Sequence, residues 1–191
     1  MGYDTEVLRL SIVTEQLITV EEYARMPEPR DGTRDELIAG KLVYRPLPTF
    51  IHDEVCGNAG FALSQYKTAV NRGRVSIGSG FVVERNPDTV IGVDASYFID
   101  KSFECTPNGW PVVPPNAIFE IIDKNEPPDY TMKKIELFRK FGVRIIWLVD
   151  PWSKTVQEFR RGITRILDAE STLDGGEVLP GFTCTVTDIF E

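Results

Sequence analysis

A lysine, an aspartate and a glutamate carry the chemistry this chain could perform. Lys134 lies within Asp129 to Phe141, a segment that reads as an amphipathic helix closed by Gly142. Its apolar side chains Tyr130, Leu137, Phe138 and Phe141 fall at i, i+7, i+8 and i+11, one stripe of a 3.6-residue period. Lys134 sits at i+4, in the middle of that stripe. A lysine there either snorkels to water or meets a carboxylate that holds its charge. The neighbouring strands offer two such groups, Asp94 and Glu120.

In Val90 to Ile99, alternation predicts Ile91, Val93, Ala95, Tyr97 and Ile99 on one face, with Asp94 on the other beside Gly92 and Ser96. In Ala117 to Ile122, Ile118, Glu120 and Ile122 share a face. A bare glutamate in so apolar a run needs a partner, because burying an unpaired charge is costly. If the two strands are neighbours, Asp94 and Glu120 converge. They then repel unless a proton, a lysine or a divalent cation stands between them. Hard oxygen ligands of this kind suit Mg²⁺ or Mn²⁺, which take one or two carboxylates and keep waters for a substrate phosphate. Such a metal would polarise a phosphoryl oxygen and acidify a bound water, and a nearby ammonium would offset developing charge. The other reading is a buried Asp/Glu–Lys ion network that only holds the fold. Both stand open on the residues alone.

Other chemistries find less support. His52 is the sole histidine, which excludes multi-histidine metal sites. Cys56, Cys105 and Cys184 are far apart without a C-x-x-C, so neither a disulfide framework nor a zinc cluster is expected. Cys56 lies one helical turn from His52, but no oxyanion-hole signal accompanies them, and a core thiol is the plainer reading. Nothing resembles G-x-G-x-x-G or a P-loop, so no nucleotide cofactor is indicated. The formal charge of −8 repels phosphate backbones and argues against tight unspecific DNA binding without a metal. Two basic clusters stand out, Lys133, Lys134, Arg139, Lys140 and Arg144, and then Arg160, Arg161 and Arg165. They read as solvated helix and hairpin faces.

These groups must be positioned by the elements around them. The 191 residues, 42% apolar, suit one domain spanning 1–191, with 1–18 as an N-terminal extension. No apolar run approaches a membrane span, the N-terminus lacks a signal core, and Glu6 breaks the myristoylation pattern. A soluble, cytoplasmic protein is expected. Thr19 to Glu22 is a capping box opening a short helix through about Met26, ended by Pro27 to Gly32. Ala39-Gly40 joins a hairpin of Glu36 to Ile38 and Lys41 to Arg45. A long helix follows from about Ile51 to Val70, then strands over Arg74–Glu84, Val90–Ile99 and Ala117–Ile122. The Lys134 helix leads to a strand over Arg144–Val149 and a hairpin around Arg161-Gly162. Three strands in an antiparallel meander plus one strand reached through a helix predict an α/β sandwich with a mixed sheet.

Several short segments, in this order and spacing, carry a family resemblance. They are Asp35 to Val43, Ile51-His52-Asp53, Val93-Asp94, Ile118 to Ile122, Lys134 to Val143, Trp147 to Pro151, and Leu179 to Phe182. From about Thr19 onward the chain resembles the Uma-type family of restriction-endonuclease-like proteins, placed in the PD-(D/E)XK nuclease superfamily. The resemblance implies a restriction-endonuclease-like core, with Asp94 as motif aspartate, Glu120 as second acidic ligand and the Ile121 carbonyl as a third. Val93 replaces the motif proline, and Ile122 stands where the motif lysine belongs. Lys134 is the natural replacement, since lysine migration from strand to helix is seen in this superfamily. Lys124 is second choice, about 13 Å along the strand from Glu120. Glu36 and His52 match family positions. Glu36 either reaches the metal through water or pins the hairpin, and His52 either orients a water or phosphate or is structural. The implied activity is metal-dependent endonucleolytic hydrolysis of DNA phosphodiester bonds with Mg²⁺ or Mn²⁺. The alternative is a catalytically inert nuclease-like fold that binds nucleic acid or protein. A cut through both strands of a duplex implies a homodimer. The Pro-rich loop bearing Trp110 is either its contact arm or a cover for the protein's own core.

Overall fold

The computed structural model describes residues 17–27, 29 and 33–191. Residues 1–16 of the expected N-terminal extension, and 28 and 30–32 of the Pro27–Gly32 turn, lie outside the described residues. The first helix, α1 (Val20–Tyr23), starts on the expected capping box, with Thr19 and Glu22 satisfying each other's backbone amides. It ends sooner than Met26 because its last turn tightens to i,i+3 bonds (Arg25 N to Glu22 O and Met26 N to Tyr23 O, each 3.0 Å).

β1 (Arg34–Ile38) and β2 (Lys41–Arg45) form the predicted hairpin, with Glu36 opposite Val43. Its turn puts Ala39 at φ 51° and Gly40 at φ 75°, the two positive angles of a type I′ connection. α2 (Phe50–Val70) is capped by Thr49 and ends on Asn71 in the left-handed conformation. It lays Val55, Cys56, Ala59 and Leu63 on one face of the sheet. β3 (Arg74–Glu84), β4 (Thr89–Phe98) and β5 (Ala117–Ile121) form the antiparallel meander. α3 (Pro128–Phe141) then crosses to β6 (Ile145–Asp150), which pairs parallel with β5. β7 (Thr155–Arg160) and β8 (Ile163–Leu167) complete an eight-stranded mixed sheet. β9 (Thr172–Asp174) and β10 (Thr183–Thr185) form a separate ribbon on the α2 side, followed by a 3₁₀ turn at Thr187–Ile189. No helix among the described residues is long and apolar enough to cross a membrane.

Two features shape the site. First, β3 runs along one edge of β4, while the other edge is shared. β1 meets it at Val90, and β5 meets it at Ala95 to Tyr97. The stretch Gly92–Asp94 between them has no strand partner on that side.

Second, the faces of β4 switch at Asp94. Ile91 and Val93 join the core on the α3 side, with Ile135 and Phe138, whereas Ala95, Tyr97 and Ile99 join the α2 side. The uninterrupted alternation expected from the sequence is therefore broken. The cause lies in the neighbouring strand. Gly78 adopts φ 62°, and the β3–β4 ladder pairs Ile77 with Ala95 and Ser79 with Val93 but omits Gly78 and Asp94. A left-handed residue inside a strand reorients the pleat, and glycine adopts it without steric cost.

α3 buries Thr131, Lys134, Ile135 and Phe138, and Lys134 is only 1% exposed. Tyr130, Leu137 and Phe141 fall at the rim, so the stripe is rotated from the predicted one, with Lys134 nearer its centre. Gly142, at φ 109°, ends the helix as expected. The Trp110 ring stacks on Tyr23 at 5.4 Å and packs beside Val20 and Leu37, so it covers the protein's own core.

Candidate active site

The interrupted edge of β4 is filled by side chains. Glu36, on β1, accepts the Gly92 amide at 2.8 Å through Oε1, doing the work of a missing strand carbonyl. The same carboxylate meets Arg45 of β2 at 3.1 Å and Lys134 at 3.8 Å, and its Oε2 accepts the Tyr130 hydroxyl. Asp94 bridges in the other direction, accepting the Ile121 amide of β5 at 2.8 Å. His52, in the first turn of α2, brings Nε2 to 3.4 Å from Asp94 Oδ2 and Nδ1 to 3.1 Å from Asp53. Lys134 reaches across from α3 and pairs directly with Glu120 Oε1. Glu120 Oε2 is buried and has no hydrogen-bond partner.

The two motif carboxylates titrate in opposite directions. Burial opposes ionisation of Asp94, but the His52 hydrogen bond and Lys134 outweigh it and hold this carboxyl below its usual range. Burial dominates at Glu120, Asp94 adds to it, and Lys134 only partly offsets them, so this carboxyl is pushed up to about 8. Glu36 is lowered, because Lys134 and Arg45 overcome its burial. The Lys134 ammonium is held above its ordinary value, since Glu120 and Glu36 outweigh the desolvation that opposes it. His52 is raised, as Asp94 and Asp53 overcome burial. Paired carboxylates driven apart in this way are a mark of acid–base or metal sites.

A cavity of about 30 Å³ opens beside Asp94, lined by His52, Asp123, Glu126, Arg45 and Arg34. That is the volume of one water or small ion. A wider groove of about 560 Å³ reaches Asp94, Glu36 and Gly92 from the Trp110 side. Glu120 is not among the residues lining either. The expectation that both carboxylates face one pocket is therefore met only by Asp94, because Glu120 lies behind it, drawn to the buried ammonium.

The model of the Uma2 family, described as "Putative restriction endonuclease", matches residues 20–187. The chain belongs to the Uma2 family. Its fold is similar to the crystal structure of a "putative nuclease belonging to DUF820" from Anabaena variabilis, with a TM-score of 0.76. The match covers 91% of this chain and 97% of that one at 21% sequence identity, and it establishes the nuclease-like fold. Among curated proteins, none matches.

In this Uma2 chain Glu36 and Glu120 meet at Lys134, while Asp94 pairs with His52 and the Ile121 amide of β5. Lys124 is left out, since it is exposed with its ammonium 5.5 Å from the Trp152 ring. Cys56 donates to the Asp94 carbonyl at 3.3 Å, and burial pushes its thiol up to about 12, which leaves it a poor nucleophile. Four members went unnoticed in the sequence: Arg45, Tyr130, Asp123 and Glu126. The hairpin register could have found Arg45, because it is the diagonal neighbour of Glu36 once Glu36 opposes Val43. Arg45 also binds Glu126 at 2.7 Å, and Asp123 caps the start of α2 by accepting the Thr49 amide at 2.7 Å.

The donor set fits a hard divalent cation. Glu120 Oε2 and Glu126 Oε1 are buried without hydrogen bonds. The Ile121 carbonyl faces the same side. The Ile122 amide donates to Val149 of β6 at 2.9 Å, so the Ile121 oxygen, trans across the same peptide, points toward β4 and Asp94. No ready-made cluster of three or more His, Cys, Asp or Glu ligands stands among the described residues.

Proposed function

We propose that this protein is a divalent-metal-dependent endonuclease that hydrolyses DNA phosphodiester bonds at a PD-(D/E)XK-type site. Asp94 and Glu120 are its acidic metal ligands and the Ile121 carbonyl is the third. The observation that carries this reading is the partnerless buried oxygen of Glu120, one strand from the ionised Asp94. Such an oxygen is costly unless a proton or cation relieves it. Mg²⁺ or Mn²⁺, when bound, would supply Lewis-acid polarisation of the phosphoryl oxygen and a more acidic water.

The remaining work falls to the chain's own side chains. Lys134 fixes Glu120 through Oε1 and leaves Oε2 available. His52 and the Ile121 amide both engage Asp94 Oδ2, while Oδ1 takes no hydrogen bond among the described residues. Lys134 also adds a buried positive charge to the site, of the kind that offsets charge developing on a phosphoryl group. Arg34 lines the wider groove as well as the small cavity and offers its guanidinium to an incoming phosphate, whereas Arg45 is held by Glu36 and Glu126. Glu36 acts as the positioning residue that ties Arg45, Tyr130 and Lys134 to the unpaired edge of β4.

One observation favours a second reading, an inert nuclease-like scaffold that binds nucleic acid or protein. Lys134 is already engaged by two carboxylates, as a purely structural ion network would require. Calorimetric titration of Mn²⁺ into the wild type and Asp94→Ala separates the two, run beside cleavage of supercoiled and linear DNA with Mg²⁺, Mn²⁺ or EDTA. The enzyme reading expects one saturable binding event, lost in the variant, and cleavage only with metal. No metal binding together with no cleavage decides for the scaffold.

Cutting both strands of a duplex calls for two sites, and we propose a homodimer. Trp110 is not its contact arm, being stacked on Tyr23. A monomer by light scattering at high micromolar concentration would refute it. The free thiols of Cys56, Cys105 and Cys184 fit a reducing, cytoplasmic compartment.

A further inference from the structure

The two basic clusters that the sequence presents separately meet around one cavity. It has a volume of about 680 Å³ and lies between the C-terminal end of α3 and the β7–β8 turn. Arg139 and Arg144 enter it from one side, Arg160 and Arg161 from the other, with Glu177 as the acidic residue in its lining. The side chains of Arg139, Arg144 and Arg161 are exposed and make no ion pair or hydrogen bond among the described residues. Arg160 is fixed in place. It donates to Glu158, which is fully buried, at 2.8 Å and to the Asp174 carbonyl, and lies 3.3 Å from the Asp174 carboxylate. A Cβ at Gly176 would come within 2.5 Å of its guanidinium, so a glycine there is what lets the arginine in.

Like charges gathered in a concavity repel one another. On a chain of net charge −8, carboxylates that could neutralise them are plentiful. Neighbouring Lys140 does find one, pairing with Glu84. Compensation of the helix dipole accounts for Arg139 in the last turn of α3, and Glu158 and Asp174 account for Arg160, but neither accounts for Arg144 and Arg161. Guanidinium forks match phosphate oxygens bidentately.

We propose that this cavity is a phosphate subsite that holds the backbone of a nucleic acid, away from the acidic site. The assignment rests on the nuclease reading for the identity of the polymer, though not on its metal. Arg144 directly precedes β6, and Glu120 stands opposite Leu148 four residues further on. At the strand rise the two sites are about 13 Å apart along the sheet, roughly four steps of B-form DNA.

The test is fluorescence anisotropy of a labelled DNA duplex in EDTA, from 50 to 200 mM salt. It compares the wild type, the triple variant Arg139→Ala/Arg144→Ala/Arg161→Ala, and a charge-matched control outside the cavity lining, Lys67→Ala/Arg72→Ala/Lys101→Ala. Losing three phosphate contacts should lower the slope of log affinity against log salt by about 3. Over that salt range the wild type should then lose about 40-fold more affinity than the triple variant. Circular dichroism confirms that both variants are folded. Equal effects of the triple variant and the control overturn the proposal, as does absence of wild-type binding. Binding of inorganic pyrophosphate without binding of DNA overturns the backbone assignment. Because EDTA removes metal throughout, a failed metal titration leaves this result untouched, and the reverse also holds.

Discussion

Replacing Glu120 by glutamine should make this protein more stable, and the gain should grow with pH. The Glu120 carboxyl is raised from 4.5 to about 8 by burial, with Asp94 adding to it. An acid whose folded pKa is raised favours its neutral form in the native state. Its contribution to stability is complete below the unfolded value, about 4.5, and is lost as pH rises through the folded value. The wild type should therefore lose stability steadily across that window, on the order of a few kcal/mol in all. Glutamine keeps an oxygen for Lys134 and does not titrate. Near pH 4.5 the two proteins should be similar, and by pH 8.5 the variant should lead by a few kcal/mol, several degrees in Tm for a chain of this size. Urea unfolding in EDTA at pH 5, 7 and 8.5 measures this, with the fully buried Trp147 as the fluorescent probe. A stability difference that stays constant across pH, or that shrinks as pH rises, would refute the argument. It would mean that the Lys134 pairing fully offsets the burial of the carboxylate.

Lys134→Met should abolish metal-dependent cleavage. In EDTA it should cost about 3 kcal/mol, because carboxylates lose their counter-charge, while Arg45 and Tyr130 still hold Glu36. Mg²⁺ should narrow that loss, and equal losses with and without the metal in paired melts would count against a cation at this site. His52 is raised by Asp94 and Asp53 against burial, so its stabilisation is complete below about 6.5 and fades as pH rises through the folded value. His52→Gln should thus destabilise at pH 6 and little at pH 9, and the reverse order in chemical denaturation would contradict the His52–Asp94 bond. Leu63→Ala, at a fully buried position facing the sheet, should lower stability by about 3 kcal/mol. A loss below about 1 kcal/mol would mean that α2 is not seated there.

The residues that announced themselves in the sequence did so by breaking a pattern. Lys134 interrupted an apolar stripe and Glu120 an apolar strand, and the penalty for burying either alone foretold their pairing. The hairpin was legible because Ala39-Gly40 supplies the two positive φ angles its turn needs. What stayed hidden depended on conformation or on tertiary neighbours. The face switch at Asp94 originates in the left-handed Gly78 of another strand, and a glycine in a sequence does not declare which φ it takes. Tyr130 counted as an apolar stripe residue, although its hydroxyl is what reaches Glu36. Asp123 and Glu126 sit in the loop after β5, where no periodicity singles them out. The basic clusters read as separate solvated faces, because the contact between the α3 end and the β7–β8 turn exists only once the sheet has formed.

The shared edge of β4 has a consequence for how the molecule opens. The N-terminal hairpin joins β4 through one ladder position, Leu37 opposite Val90, through the Ala39 and Gly40 amides on Thr89 Oγ1 and the Asp88 carbonyl, and through the carboxylate of Glu36. That carboxylate latches β2, β4 and α3 together, so a fluctuation that lifts the hairpin also strips Lys134 of one partner and frees Tyr130 and Arg45. Breathing of the hairpin and disassembly of the site are then a single event with a single free energy. In native-state hydrogen exchange, the amides of Leu37 and Gly92 should share one opening rate, distinct from the slower β5–β6 pair, and a ligand seated at Asp94 should slow both together.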